Sequence, residues 1–210
     1  MSDLYQSNRK LVETYRQQLQ QKIVSLHQAG QSSNNSEIDP QKFYLGFKDR
    51  AIELVQKETA LLQKECGKSD NCHLVLLKQT ALVDTLVQAS FYSAVWYFNH
   101  QNNQEWTTQS VPVAIVARGG YGREEMYFRS DVDIEIVSES SISESDKKNA
   151  EQIIRHFEYL FIFQDIFPAS INACYTENET FEKDQDPAKV SEFMALLEHR
   201  FVAGNSLVYS

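Results

Sequence analysis

Hydrophobic residues recur at helical spacing throughout the first half of the chain, with polar residues on the opposite face. The pattern predicts a first helix from Leu4 to Ala29, which ends at Gly30. A second helix is predicted to begin at Asp39-Pro40, because aspartate caps helix N-termini and proline is favoured in the first turn. A third helix is predicted to run to about Asn99. The first half is therefore predicted to form a helical bundle.

The third helix is bounded by a predicted cap and by an aromatic segment. Cys66-Gly67 closes the second helix, and Ser69-Asp70 is predicted to cap the third. The third helix ends in the segment Phe91–Phe98, FYSAVWYF, which has the composition of a ligand-binding site. Aromatic residues at helical spacing more often pack in a core, and we assign this segment to the core.

The second half of the chain contains short apolar runs and one alternating segment. Strands are predicted at 113–117, 131–137 and 169–176, and helices at 144–163 and from Asp186-Pro187 to Gly204. The predicted fold class is α+β. It consists of an N-terminal helical bundle followed by a palm-like unit, which is a short mixed sheet with helices.

Composition bounds the size and the class of the protein. The chain has 210 residues, of which 42% are hydrophobic, and this is sufficient for a packed core. We expect a helical region at 1–105 and a palm domain with its following helix at 106–210. No repeat divides the chain further.

The charge and the absence of long apolar runs exclude several classes of function. A net charge of −9 argues against a general nucleic-acid-binding protein, because tracking a phosphate backbone needs clustered Lys and Arg. It permits the binding of one nucleotide. No apolar run is long enough to span a bilayer and the N-terminus is polar, so we expect a cytoplasmic protein without a membrane partner. Cys66, Cys72 and Cys174 show no disulfide framework, and a zinc site at Cys66, Cys72 and His73 would lack a fourth ligand.

The alternating segment places three acids on one face of a strand. Side chains on a strand point to opposite faces in turn, so Asp131, Asp133 and Glu135 share a face. Asp131 and Asp133 would then lie about 6–7 Å apart along the strand. Mg²⁺ prefers carboxylate oxygens together with substrate phosphates, which this pair would suit. The alternative is an edge strand with a solvated acidic face.

A glycine turn precedes this acidic strand. Gly119-Gly120-Tyr121-Gly122 directly follows the predicted strand at 113–117, and glycine permits close approach of a ligand to the backbone. Arg123 lies beside the turn, where it would bind phosphate or pair with Glu124, Glu125 or Asp131. The spacing matches neither the dinucleotide fingerprint nor the P-loop. A plain tight turn is the alternative.

The residues 119–123, Glu125 and 130–133 resemble the GGYGRxE…SDxD signature of bacterial PII uridylyltransferase/uridylyl-removing enzymes. These enzymes belong to the DNA polymerase β-like nucleotidyltransferase superfamily. Similar motifs occur in nucleotidyltransferase domains found with CBS or cyclic-nucleotide-binding domains. The segment 196–208 resembles the family's leucine-rich helix after the palm, and 82–84 resembles the end of its N-terminal helical region.

The resemblance implies a set of site residues and cofactors. Asp131 and Asp133 would be the catalytic residues and the ligands of a two-ion Mg²⁺ site, for which Mn²⁺ is an alternative. The residues implied for triphosphate binding are Gly119, Gly120, Tyr121, Arg123 and Ser130. The donor would be an NTP, UTP by resemblance, and the acceptor a tyrosine of a PII-like signal protein.

The chain departs from the uridylyltransferases in charge and in length. Glu124 occupies a position where they usually have glycine. Many members of the superfamily carry a third acid on the next strand, but the predicted strand at 169–176 offers Asn172 and no acid, and the uridylyltransferases also have a non-acidic residue there. Glu135 is a candidate third ligand or a supporting group, and Asp165 is a poorer candidate. No motif for an HD hydrolase domain is present, so we expect a piece of a longer protein or a minimal relative. The alternatives are a catalytically weakened nucleotide-binding module and a helical scaffold with an acidic surface.

Overall fold

A computed structural model describes residues 2–30, 39–68, 71–139, 141–162, 166–167, 170–177 and 198–209. Several sequence predictions fall outside these residues, namely the Ser69-Asp70 cap, Asp165 and the helix start at Asp186-Pro187. Within the described part, the chain is a mixed α+β structure with six helices and one four-stranded mixed sheet. The polymerase β-like palm stays a prediction.

The three long helices of the first half are confirmed. They are α1 (Ser2–Gly30), α2 (Pro40–Cys66) and α3 (Cys72–Asn102). Asp39 caps α2 as predicted, since its Oδ1 accepts the backbone N–H groups of Gln41 and Lys42 at 2.9 and 3.4 Å. Helix α3 is capped by Asn71, whose side chain accepts the N–H of Leu74 at 3.3 Å.

Helix α3 is the centre of the molecule. It packs against α1 and α2 on one side and against α5 (Glu144–Phe161) and β4 (Arg200–Gly204) on the other. Buried residues therefore occur all around it, and most of the aromatic segment 91–98 lies in the core as predicted.

The sheet has the order β3-β2-β1-β4. Its strands are β1 (Val113–Ala117), β2 (Val132–Ser138), β3 (Ile171–Glu177) and β4. β1 runs antiparallel to both of its neighbours, and β2 and β3 are parallel. Helix α5 lies between these two parallel strands in the chain, as a parallel connection requires.

The segment Arg200–Gly204 is a strand, and its prediction as the end of a helix is wrong. Phe201 packs on one face of the sheet, and Val202 and Ala203 both join the main core on the other, because the pairing with β1 has a bulge here. Pairing with β1 provides partners for its backbone, and Gly204 has a φ of 93°, which lies outside the helical region. The other predicted members of that helix, Phe193, Leu196 and Leu197, lie outside the described residues.

The two faces of the sheet have different environments. The first face contributes Val113, Ile115 and Ala117 to the main core, which is continuous with residues of α1, α2, α3 and α5. The second face carries a small apolar cluster under α6 (Ser206–Tyr209) and, toward the start of β2, the predicted acids. No helix in the described part of the chain is long and apolar enough to cross a membrane.

Candidate functional site

Strand β2 carries its aliphatic and acidic residues on opposite faces. The aliphatic residues of the first face are 1–2% exposed: Val132, Ile134 and Ile136. Exposure of the acids falls along the strand. Asp131, directly before β2, is exposed, Asp133 is half-buried and Glu135 is 4% exposed. Only the two aspartates are therefore accessible to a ligand from solvent.

The two aspartates are held by polar side chains at the neighbouring strand β3. Ser170 Oγ donates to Asp131 Oδ1 at 2.6 Å, and Asn172 Nδ2 donates to Asp133 Oδ1 at 2.8 Å. The parallel register pairs Asp133 with Asn172, so these contacts follow directly from the sheet. Asn172 thus orients a carboxylate.

Glu135 has a different set of partners in the interior. The hydroxyl of Thr176 donates to Glu135 Oε1, and Arg118 Nε lies 3.7 Å from Oε2. Arg118 Nη1 also donates to Cys174 Sγ at 2.8 Å. Because its carboxylate is buried and paired with a cation, Glu135 is placed to support the site and is poorly placed as a third metal ligand.

Arg118 is a site residue that the sequence motif omits. The motif begins at Gly119, whereas Arg118 directly follows β1 and its N–H donates to the carbonyl of Asp133 at 2.9 Å. The sequence does contain a signal that could have identified Arg118. Continuing the alternation of β1 by one residue places Ala114, Val116 and Arg118 on the second face, beside the acids of β2.

The glycine turn and the acidic face meet at Gly119. The turn forms α4 (Gly119–Gly122), and Gly119 has a φ of 54°. A β-carbon at Gly119 would lie 3.6 Å from Asp133 Oδ2, so the second oxygen of this aspartate faces the turn. Gly119 of the glycine turn and Asp133 of the acidic strand, which the sequence analysis found in separate motifs, therefore lie side by side.

Tyr121 lies on the other side of the turn from the acids. It is 1% exposed, and its hydroxyl donates to Asp84 Oδ1 on α3 at 2.8 Å. Arg200 also binds Asp84 through two nitrogens, at 3.0 and 2.8 Å, and Arg16 on α1 reaches it at 3.2 Å. Burial, followed by the charge of Asp84, raises the pKa of the Tyr121 hydroxyl well above its usual value. The Tyr121 side chain therefore anchors the turn and does not face a nucleotide.

Arg123 and Ser130, both predicted at the triphosphate, are also held by protein groups. Arg123 is exposed and forms ion pairs with Glu125, at 2.8 Å, and with Glu198. Pairing with Glu125 is one of the alternatives predicted from the sequence. Ser130 Oγ accepts the N–H of Tyr127 at 3.0 Å and closes the turn before Asp131.

Glu124 faces the helices and not the acidic face. It is 8% exposed and has a φ of 62°, in the left-handed region that usually costs a non-glycine residue about 1–2 kcal/mol. Its carboxylate pairs with Arg9 and, at 3.4 Å, with Arg16. Burial raises its pKa, but the bond and charge of Arg9 and the charges of Arg200 and Arg16 outweigh this effect and lower it. The negative charge of Glu124, which the sequence placed beside the phosphate site, is thus neutralised by arginines on the side of the turn away from the acidic face.

The donor set at the acidic face fits a cation that shares its ligands with a substrate. Among the described residues, no three His, Cys, Asp or Glu side chains converge closely enough to hold a metal ion by themselves. Two aspartates with one oxygen each held by Ser170 and Asn172 nevertheless suit Mg²⁺, which commonly binds one or two carboxylates together with phosphate oxygens.

Comparison with known proteins gives one informative similarity. No family model matches the chain. In an alignment of 111 residues that covers 50% of the chain, it is 32% identical to the bifunctional uridylyltransferase/uridylyl-removing enzyme of Zymomonas mobilis subsp. mobilis. The matched region is 11% of that protein's length. Half of the chain is therefore similar to a small part of a much longer uridylyltransferase, which supports a relationship to nucleotidyltransferases.

Proposed function

We propose that the chain transfers a nucleoside monophosphate from an NTP to an acceptor hydroxyl. The observation that carries the proposal is the meeting of Asp133 with the glycine turn at Gly119, with Asp131 two residues away on the same face. The similarity to part of a uridylyltransferase supports the same chemistry. The acceptor oxygen would bond to the α-phosphorus, the bond to the β-phosphate oxygen would break, and the hydroxyl proton and pyrophosphate would leave.

Asp131 and Asp133 are the proposed catalytic residues. They would hold Mg²⁺, or Mn²⁺ in its place, together with oxygens of the triphosphate. When bound, a pair of such ions activates the attacking oxygen and stabilises the leaving pyrophosphate. Ser170 and Asn172 fix the orientation of the two carboxylates, and Glu135 supports β2 from the interior.

The glycine turn is the proposed triphosphate-binding element. Gly119 and Gly120 present no side chain, so a phosphate can approach the backbone closely. Arg123 is exposed beside them and would exchange its contacts with Glu125 and Glu198 for contacts with phosphate oxygens. Ser130 contributes by closing the turn that leads into Asp131.

The donor and the acceptor are proposed from the resemblance. The similar protein is a uridylyltransferase, so we propose UTP as the donor. A tyrosine of a PII-like signal protein is the proposed acceptor. No uridylyl-removing activity is proposed for these residues.

Two observations favour a second candidate, a nucleotide-binding module with weakened turnover. Arg123 is already bound by two glutamates, and the strand beside Asp133 offers an amide in place of a third acid. Both features would reduce the stabilisation of charge that develops during transfer.

The test is transfer of labelled nucleotide. The chain is incubated with Mg²⁺, a PII-like protein and each labelled NTP in turn, and label transfer and pyrophosphate release are followed. We expect transfer from UTP, and we expect Asp131→Asn and Asp133→Asn each to lower its rate by roughly 100-fold or more, because each removes a charged ligand.

Glu139→Gln provides the matched control, since Glu139 is an exposed acid just after β2. It should transfer at the rate of the unaltered chain. Transfer that survives the double substitution Asp131→Asn/Asp133→Asn would refute the assignment. Binding of UTP without transfer would favour the weakened module.

A further inference from the structure

The glycine turn ends at a residue whose backbone conformation requires an external constraint. Glu124 directly follows the cap of α4 and has a φ of 62°, which glycine adopts freely and glutamate does not. At this φ the N–H of the next residue, Glu125, donates to the carbonyl of Gly120 at 2.9 Å, so the left-handed conformation of Glu124 closes the turn. At negative φ this bond would be lost and the turn would open.

The constraint comes from α1, more than a hundred residues earlier in the chain. Arg9 pairs with Glu124 Oε2 and Arg16 with Oε1, so both carboxylate oxygens are held. We call Arg9, Arg16 and Glu124 the α1 ion-pair cluster. It is largely shielded from solvent at Glu124, whose side chain is 10% exposed, so salt screens it less than a surface pair.

The same helix also reaches the turn by a second route. Arg16 Nη2 lies 3.2 Å from Asp84 Oδ2, and Asp84 Oδ1 accepts the hydroxyl of Tyr121. Helix α1 is thus linked to the residue in the middle of the turn and to the residue that ends it. The intervening backbone carries Gly119 and Gly120, next to Asp133.

We propose that α1 is a positioning element of the nucleotide site: the α1 ion-pair cluster holds Glu124 in its left-handed conformation and thereby fixes the glycine turn against Asp133. Glutamate is tolerated at this position because the two arginines hold it there. The step from the turn to nucleotide affinity rests on the proposed function, whereas the step from α1 to the turn does not.

The first measurement is amide hydrogen exchange of residues 122–125 in the full chain without nucleotide. We expect Glu124→Gln and Arg9→Gln each to raise exchange there about tenfold, because each removes the ion pair and leaves the strained backbone. Glu124→Gly should change it less than about threefold, since glycine adopts this φ without a constraint.

Lys22→Gln is the matched control. Lys22 also lies on α1, and it pairs with Glu58 of α2 at 2.5 Å, away from the turn. It should leave exchange at 122–125 unchanged. Three results would each overturn the link from α1 to the turn. The first is equal exchange in Glu124→Gln and the unaltered chain, and the second is an equal effect of Glu124→Gln and Glu124→Gly. The third is a change of exchange at the turn in Lys22→Gln.

The second measurement is the KM for UTP with Mg²⁺. We expect Glu124→Gln to raise KM about tenfold, with kcat within about twofold, because a smaller fraction of the chain presents an ordered turn. A loosened turn with an unchanged KM would overturn the role in the nucleotide site. If the unaltered chain transfers no nucleotide, the proposed function fails, and the exchange result still decides whether α1 positions the turn.

Discussion

At the scale of single residues, the glycines of the turn are required for different reasons. A β-carbon at Gly122 would lie 1.8 Å from the carbonyl oxygen of Glu198 and 3.0 Å from that of Ala117. At Gly120, which is helical, the nearest atom beyond its chain neighbours and the backbone of its own helix would be Arg123 Nη2 at 3.9 Å. Gly122 is therefore required by close packing of two backbones, and Gly120 is not required by the fold.

These contacts predict opposite effects of two similar substitutions. Gly122→Ala should lower the free energy of unfolding by about 3 kcal/mol, because the segment at Glu198 must move away. Gly120→Ala should raise it by about 0.5–1 kcal/mol, because alanine loses less backbone entropy in a helix. Urea denaturation of both variants measures the difference. Equal stabilities would mean that the segment at Glu198 yields without cost.

Residue by residue, the sequence predicted the two aspartates better than the groups around them. The positions of Asp131 and Asp133 follow from alternation along one strand, which is a local property. The direction of Tyr121 depends on Asp84, which is 37 residues away, and the direction of Glu124 depends on Arg9 and Arg16. Contacts between residues so far apart in the chain produce no periodic pattern in the sequence, so they could not be predicted from it.

At the scale of elements, β4 and α3 are joined by a buried ion pair. Asp84 on α3 is 5% exposed and accepts both terminal nitrogens of Arg200 on β4. The local sequence does not identify β4, because a short apolar segment next to helical spacing fits a helix as well as a strand. Pairing with β1 determines the choice.

We expect Asp84→Asn to lower the free energy of unfolding by about 3–5 kcal/mol, because it leaves Arg200 and Arg16 near an uncharged group. Asp49→Asn, an exposed change on α2, should stay within about 0.5 kcal/mol of the unaltered chain. In a double-mutant cycle with Arg200→Gln, the two losses should not add, with a coupling of about 1–3 kcal/mol. Additive losses would show that the pair contributes no coupling energy.

At the scale of the whole molecule, the helical region and the sheet share one core. Most predicted elements of both halves are found with ends within a few residues, because long amphipathic helices and β-branched runs are strong local signals. The exception is the helix predicted to end at Gly204, whose described part is β4. The strand order and the burial of α3 between two layers were not predictable, since they depend on which surfaces meet. The main core continues across the predicted boundary at residue 105.

This continuity predicts that residues 106–210 do not fold alone. Without α1, α2 and α3, the apolar face formed by Val113, Ile115 and Ala117 would lose the part of the main core that these helices contribute. The fragment should show no cooperative thermal transition and a poorly dispersed amide spectrum, whereas the full chain should show both a transition and dispersion. A well-dispersed spectrum from the fragment would establish residues 106–210 as an independent domain.

The pair between Asp84 and Arg200 also has a consequence for synthesis. The two residues are 116 positions apart, so a ribosome that adds about 5–20 residues per second makes Arg200 roughly 6–23 s after Asp84. During that interval the carboxylate at the centre of the molecule lacks its bidentate partner. The nascent helices can pack loosely, but the native arrangement of α3 is completed only when the last strand arrives.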